Sequence, residues 1–92
     1  MRKDEADDFV SRICYGEELV FVYKGLKYLL QGTYEDPYHL LYIFSLNSDE
    51  GIDWKVYTLT EYFDTDSFLK ARIFDGRTFW EAVDEIEWSD FD

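Results

Sequence analysis

The sequence predicts an α+β domain: a four-stranded antiparallel meander with an N-terminal helix and two C-terminal helices packed on the sheet, in the order α-ββββ-αα. Three observations predict it. Apolar residues recur at helical spacing near the start, then alternate with period two through about forty residues. Beyond Thr58 the spacing turns helical again, and Thr78-Phe79-Trp80-Glu81 forms a capping box.

Each element has its own signal. Asp4-Glu5-Ala6-Asp7 supplies an N-cap and an acidic first turn, both favourable at the positive end of a helix dipole. Phe9 and Ile13, with Val10 and Cys14, then mark a short amphipathic helix over about residues 5–14, stopped by Gly16. Leu19, Phe21 and Tyr23 alternate with Val20, Val22 and Lys24, and Gly25 breaks the run. Leu26, Tyr28 and Leu30 resume the alternation, so about residues 18–34 read as a tight hairpin. Glu35-Asp36-Pro37 is a turn, because proline fixes its own φ and disfavours helix at the residue before it.

Tyr38 to Leu46 is the most apolar segment. Leu40, Tyr42 and Phe44 share one face and Leu41 and Ile43 the other, as in a central strand covered on both sides or left open on one side for a partner. Residues 47–51 form a loop. Ile52, Trp54 and Val56, alternating with Asp53, Lys55 and Tyr57, make the fourth strand. Thr60 or Asp64 caps a short helix carrying Tyr62, Phe63, Phe68 and Leu69, and Asp75-Gly76 is a turn. The capping box opens a last helix over about residues 79–88, with Phe79, Val83 and Ile86 inward and Trp80 beside them.

Composition bounds what the domain does. The 92 residues carry 21 Asp and Glu against 9 Lys and Arg, a net charge of −12, together with eight Phe, eight Tyr and three Trp. Acidic chains poor in apolar residues stay disordered because they bury too little to offset ordering entropy. This one carries enough aromatic surface to fold. One domain fits the length, with a folded surface of roughly 5,700 Å² against about 16,000 Å² for the extended chain. The negative field argues against direct nucleic-acid binding, which relies on Lys and Arg at phosphates, and against anionic membranes. The complement is a basic protein surface. Cys14 is the only cysteine, no apolar h-region follows Met1, and no apolar run approaches about 20 residues. The expectation is a soluble, cytoplasmic protein without disulfides.

The sequence offers little catalytic or cofactor chemistry. His39 is the single histidine, without a second ligand at metal spacing, and reads as an imidazole at a strand edge. Cys14 reads as a buried, inert thiol. The five glycines make no phosphate-binding loop. Asn47-x-Asp49-x-Gly51 resembles the opening of a calcium loop, but position 58, where the final acidic ligand belongs, is Thr. Neighbouring carboxylates such as Glu17-Glu18, Asp49-Glu50 and Asp84-Glu85 also need a cleft before they do acid–base work. No cofactor, metal or enzymatic activity is expected.

The distribution of charge points to candidate partner-binding residues. From Thr78 to Asp92 there is no Lys or Arg, while Glu81, Asp84, Glu85, Glu87, Asp90 and Asp92 hold half of the net charge. A helix bearing these acids, flanked by Trp80, Trp88 and Phe91, would present an anionic strip. A compact chain of this length spans roughly 30 Å. Duplex DNA carries roughly 18 charges over that distance. Exposed Tyr and Trp are the usual anchors of protein interfaces, and Tyr34 and Tyr38 flank the Glu35-Asp36-Pro37 turn. The expected partner-binding set is Glu81, Asp84, Glu85, Glu87, Trp88 and Asp90, joined by Tyr34, Glu35, Asp36 and Tyr38 and by Asp49 and Glu50 of the second loop.

The pattern Glu18-x-x-Phe21-x-Tyr23-x-Gly25-x-x-Tyr28, followed by Asp75-Gly76-Arg77-x-x-x-Glu81, resembles a loose group of short acidic proteins of Gram-positive bacteria and their mobile elements. The resemblance implies a small bacterial accessory protein and transfers no active site. By analogy, phage-borne proteins of this size and charge include anti-CRISPR and anti-restriction inhibitors of nucleases. The leading expectation is therefore a non-enzymatic inhibitor that mimics nucleic acid and occludes the basic groove of a nuclease or defence effector. The alternative is an immunity protein or antitoxin that neutralises a cationic toxin. A third reading is a regulatory or oligomerising module, a homodimer paired through Tyr38–Leu46.

Overall fold

The computed structural model describes residues 1–47 and 51–89. The fold is α+β. Helix α1 (Lys3–Ile13) precedes β1 (Leu19–Tyr23), β2 (Leu26–Glu35), β3 (Tyr38–Ser45) and β4 (Ile52–Thr58). The short helices α2 (Thr65–Lys70) and α3 (Phe79–Ala82) follow, then a 3-10 turn (Val83–Glu85) and β5 (Ile86–Ser89). All strand pairs are antiparallel, in the order β4-β3-β2-β1-β5. The surface of 5748 Å² agrees with the area expected for a compact chain of this mass.

Helix α1 starts two residues earlier than its acidic cluster suggests, because Glu5 reaches back to accept a hydrogen bond from the Arg2 N–H at 3.1 Å. Ala6, Phe9 and Ile13 form its buried stripe. On the outer face Lys3 pairs with Asp7 and Arg12 with Asp8, both at 3.2 Å and four residues apart. The β1–β2 hairpin turns through Lys24 and Gly25, at φ 51° and 79°. Two consecutive positive φ values match the right-handed twist of the flanking strands.

The three helices share one face of the sheet. There Phe9, Phe21, Phe68, Phe74 and Phe79 interlock with Leu19, Leu30, Leu41, Ile43 and Ile86. Phe9 stacks on Phe79 at 5.6 Å and meets Phe21 edge-on at 6.2 Å. The core thus absorbs more than half of the phenylalanines. On the opposite face Val20, Leu29 and Leu40 are also buried, yet they lie outside this cluster. Their cover is lateral, from half-buried neighbours such as Tyr42 and Phe44, whose rings stack at 5.9 Å. Of the two arrangements expected for the central strand, the structure has the one-sided form.

One expectation is corrected. The helix expected over residues 79–88 lasts a single α turn and a 3-10 turn, then becomes β5. Ile86 is buried, Glu87 exposed and Trp88 half-buried, a period-two pattern, and β5 covers the outer edge of the almost wholly buried β1. The sheet accordingly has five strands. Both edges of β3 are occupied, by β2 on one side and β4 on the other, so any contact of Tyr38–Leu46 with a second protomer is left to its open face.

Candidate functional site

The expected partner-binding residues fall into separate places. Asp49, Glu50 and Asp90 lie outside the described residues, as does Asp49 of the calcium-like loop. The C-terminal acids do not form one strip. Glu81 sits in the first turn of α3, Asp84 and Glu85 in the 3-10 turn, and Glu87 on β5. Because Ile86 enters the helix-side core, Glu87 points to the other face of the sheet.

Several of these acids are engaged within the fold. Glu81 Oε1 accepts from the Thr78 N–H at 2.8 Å and from Arg72 Nη1 at 3.2 Å, while Thr78 Oγ1 accepts from the Glu81 N–H at 3.3 Å. The Thr78 backbone bond, more than any other influence, holds the Glu81 carboxyl below its ordinary pKa. Glu85 pairs with Arg77 at 2.6 Å, which likewise lowers the Glu85 carboxyl and raises the guanidinium. Trp88 meets Phe9 edge-on at 5.5 Å and carries the Arg12 guanidinium 5.4 Å above its ring. It is half-buried and is spent on α1.

At the far end of the sheet the arrangement differs. Tyr34 closes β2 and Tyr38 opens β3, on either side of Glu35 and Asp36. Tyr34 (59% exposed), Tyr38 (41%), Tyr57 (44%) and Tyr62 (53%) project there, together with Tyr15 and Leu59. Tyr38 and Tyr57 meet at 5.6 Å and Tyr15 and Tyr62 at 6.1 Å, both edge-on. The Tyr34 hydroxyl donates to Asp36 at 3.0 Å. Among the described residues Glu35, Asp36 and Glu61 have no ion pair. From Tyr28 to Leu69 the only base is Lys55, and its ammonium lies over the Tyr57 ring at 5.6 Å.

Phe63 holds this end together, a role its place in a helical-looking segment did not signal. Its N–H donates to the Cys14 carbonyl at 3.1 Å, and its ring lies against His39 at 5.0 Å. A Cβ on Gly16 or Gly32 would overlap that ring, so both glycines make room for it. His39 is therefore no edge imidazole; it lies on interior strand β3 between the rings of Tyr34 and Phe63, with Nδ1 buried and unpartnered. Cys14 is half-buried, and its thiol donates to the Ser11 carbonyl at 3.6 Å.

The opposite end of the helix-side face holds a cleft of about 390 Å³. It is lined by the buried Phe21, Ile43 and Phe74, the half-buried Tyr28 and Trp54, and the exposed carboxylates Asp53 and Asp75. The two distant sequence patterns, Phe21–Tyr28 and Asp75–Glu81, meet here. The Tyr23 hydroxyl donates to Asp75 at 3.0 Å and accepts from Arg77 Nη2 at 3.1 Å. Lys24 pairs with Asp75, and this bond is the main reason its carboxyl lies below the usual range. Burial first, then the charges of Asp53 and Asp75, raise the Tyr28 phenol above its ordinary pKa.

Among the described residues no group of three His, Cys, Asp or Glu side chains is placed to hold a metal ion, and no helix is long and apolar enough to cross a membrane. No protein-family model matches the chain, and neither a curated protein nor a solved structure does.

Proposed function

We propose that the protein is a non-enzymatic acidic inhibitor that docks on the basic, nucleic-acid-binding surface of a nuclease or defence effector. The tyrosine-bearing end of its sheet is the docking surface. One observation carries this reading: Tyr34, Tyr38, Tyr57 and Tyr62 stand exposed beside Glu35, Asp36 and Glu61, whose charges no ion pair within the described residues offsets. Tyrosines supply contact area at low cost in side-chain entropy. Carboxylates left without ion pairs steer the molecule to a positive groove and raise the association rate. Six of the nine bases are paired within the fold, so little positive charge opposes that approach.

Occupying the groove that phosphates use makes inhibitor and nucleic acid mutually exclusive. The test starts by capturing a partner from bacterial lysate on the wild-type protein and on a Tyr34→Ala/Tyr62→Ala variant. A labelled oligonucleotide is then preloaded on a partner captured only by the wild type, and its anisotropy is followed as inhibitor is added. Release of the oligonucleotide is expected. An oligonucleotide that stays bound at saturating inhibitor sinks the mimicry, and equal capture by the variant sinks the tyrosine surface.

A further inference from the structure

We propose that the cleft between β4 and the α2–α3 connection is a pocket for a cationic side chain, an arginine of a partner protein, with Asp53 as its counter-ion. The register of β4 carries the argument. Ile43 pairs with Trp54 and Phe44 with Ile52, so Asp53 is the extra residue of a β-bulge. Strict alternation would send Asp53 and Trp54 to opposite faces. The bulge instead brings both to the same cleft.

The chemistry of the lining fits a guanidinium. The half-buried rings of Tyr28 and Trp54 line the cleft above the buried Phe74, and a flat, weakly hydrated guanidinium packs on aromatic rings better than an ammonium does. Of the two carboxylates, Asp75 is held by Lys24 and the Tyr23 hydroxyl. Asp53 is exposed, lines the cleft, and has no hydrogen-bond or ion-pair partner among the described residues. At about 390 Å³ the cleft is at the low end of the range for ligand pockets, roughly 300–1,000 Å³. That suits one long side chain better than an organic cofactor.

The pocket lies apart from the tyrosine end. Tyr28 and Tyr34 are six residues apart on β2, about 20 Å along an extended strand. Its test is therefore independent of the docking surface proposed above. N-acetylarginine methylamide is titrated into the isotope-labelled protein at millimolar concentration and followed by amide and indole NMR shifts. N-acetylcitrulline methylamide, the neutral isostere, is the control. The arginine probe is expected to shift Asp53, Trp54 and Tyr28 in a saturating manner, and the citrulline probe to bind at least about fivefold more weakly. Asp53→Asn, an isosteric change at an exposed position, should weaken the arginine probe by a similar factor. Trp54→Leu should cost about two- to fivefold through the lost ring face. Equal binding of the two probes, an unchanged affinity in Asp53→Asn, or shifts scattered over the acidic surface away from the cleft would each overturn the assignment.

Discussion

The segment from Thr78 to Ser89 and the end of the sheet around Tyr34 to Tyr38 are both acidic and both exposed, but they use their charge differently. In the first, Glu81 closes a capping box and meets Arg72, and Glu85 meets Arg77. In the second, Glu35 and Glu61 have no ion pair among the described residues, and Asp36 accepts only a tyrosine hydroxyl. Charge counted along a sequence is thus not charge presented to a partner. The densest run of acids is partly consumed in holding its own turn. The sparser group stands free beside the aromatics.

The largest effect expected from breaking this contrast is at the tyrosine end. Gly32→Ala drives a Cβ into the Phe63 ring, which is hemmed in by Gly16 and His39. Overpacking of this kind costs about 1–3 kcal/mol. Urea denaturation should show the midpoint falling with an unchanged slope. A loss within experimental error would mean that Phe63 is not the residue that fixes this end.

A smaller effect is expected in the C-terminal segment. Thr78→Ala removes the cap and should cost about 0.5–2 kcal/mol. The quadruple change of Glu81, Asp84, Glu85 and Glu87 to Gln or Asn, which leaves a simple solvated helix face undisturbed, should here destabilise the fold. It leaves an acceptor for the Thr78 N–H but removes the charge from that bond and the anions facing Arg72 and Arg77. Thermal melts of the two variants decide whether these acids are structural. A quadruple variant as stable as the wild type would return them to the solvated face that the sequence implied.

Much of the fold was legible because its signals are local. The hairpin through Lys24-Gly25, the alternation of β3 and the cap at Thr78 each lie within a few residues of their cause. What was not legible depends on contacts between distant segments. A capping box marks where a helix starts and carries no information on its length, and β5 is set by its pairing with the remote β1. Trp88 looked like an exposed anchor because its partners, Phe9 and Arg12, are remote in sequence. Asp53 looked like an outward strand residue, because a one-residue slip in register leaves no trace in composition. Tyr34, Glu35, Asp36 and Tyr38 were found together because the turn itself brings them together.

Next in size is a change that should leave stability alone. Glu35→Gln, Asp36→Asn and Glu61→Gln together touch no ion pair of the described residues, so the unfolding free energy should change by no more than about 0.5 kcal/mol. Once a partner is captured, the same triple variant should associate several-fold more slowly at low salt, with a flatter salt dependence. Stopped-flow measurement against salt separates this from the C-terminal variants. An on-rate that falls only when Glu81 and Glu85 are changed would reverse the comparison.

The subtlest prediction concerns acid. Glu81 titrates below its ordinary value, chiefly because its carboxylate accepts the Thr78 N–H, and Glu85 does so chiefly through its bond to Arg77. A carboxyl whose folded pKa is depressed contributes stability above its unfolded value, about 4.3 for Glu, and loses it as pH falls through the folded value. Both groups are solvent-exposed, so the effect is modest and screened by salt. The wild type should therefore melt higher than Glu81→Gln/Glu85→Gln at neutral pH, and the gap should close as pH falls below about 4. Self-repulsion among the remaining carboxylates also relaxes in acid, so the absolute melting temperature follows a different course from the gap. Only the difference between the two proteins reports on Glu81 and Glu85. A gap that stays constant from neutral pH to well below the folded values would show that the two carboxylates act through packing rather than charge. The stability of this turn would then rest on the Thr78 hydroxyl, which accepts the Glu81 backbone N–H, and not on the acidic side chains.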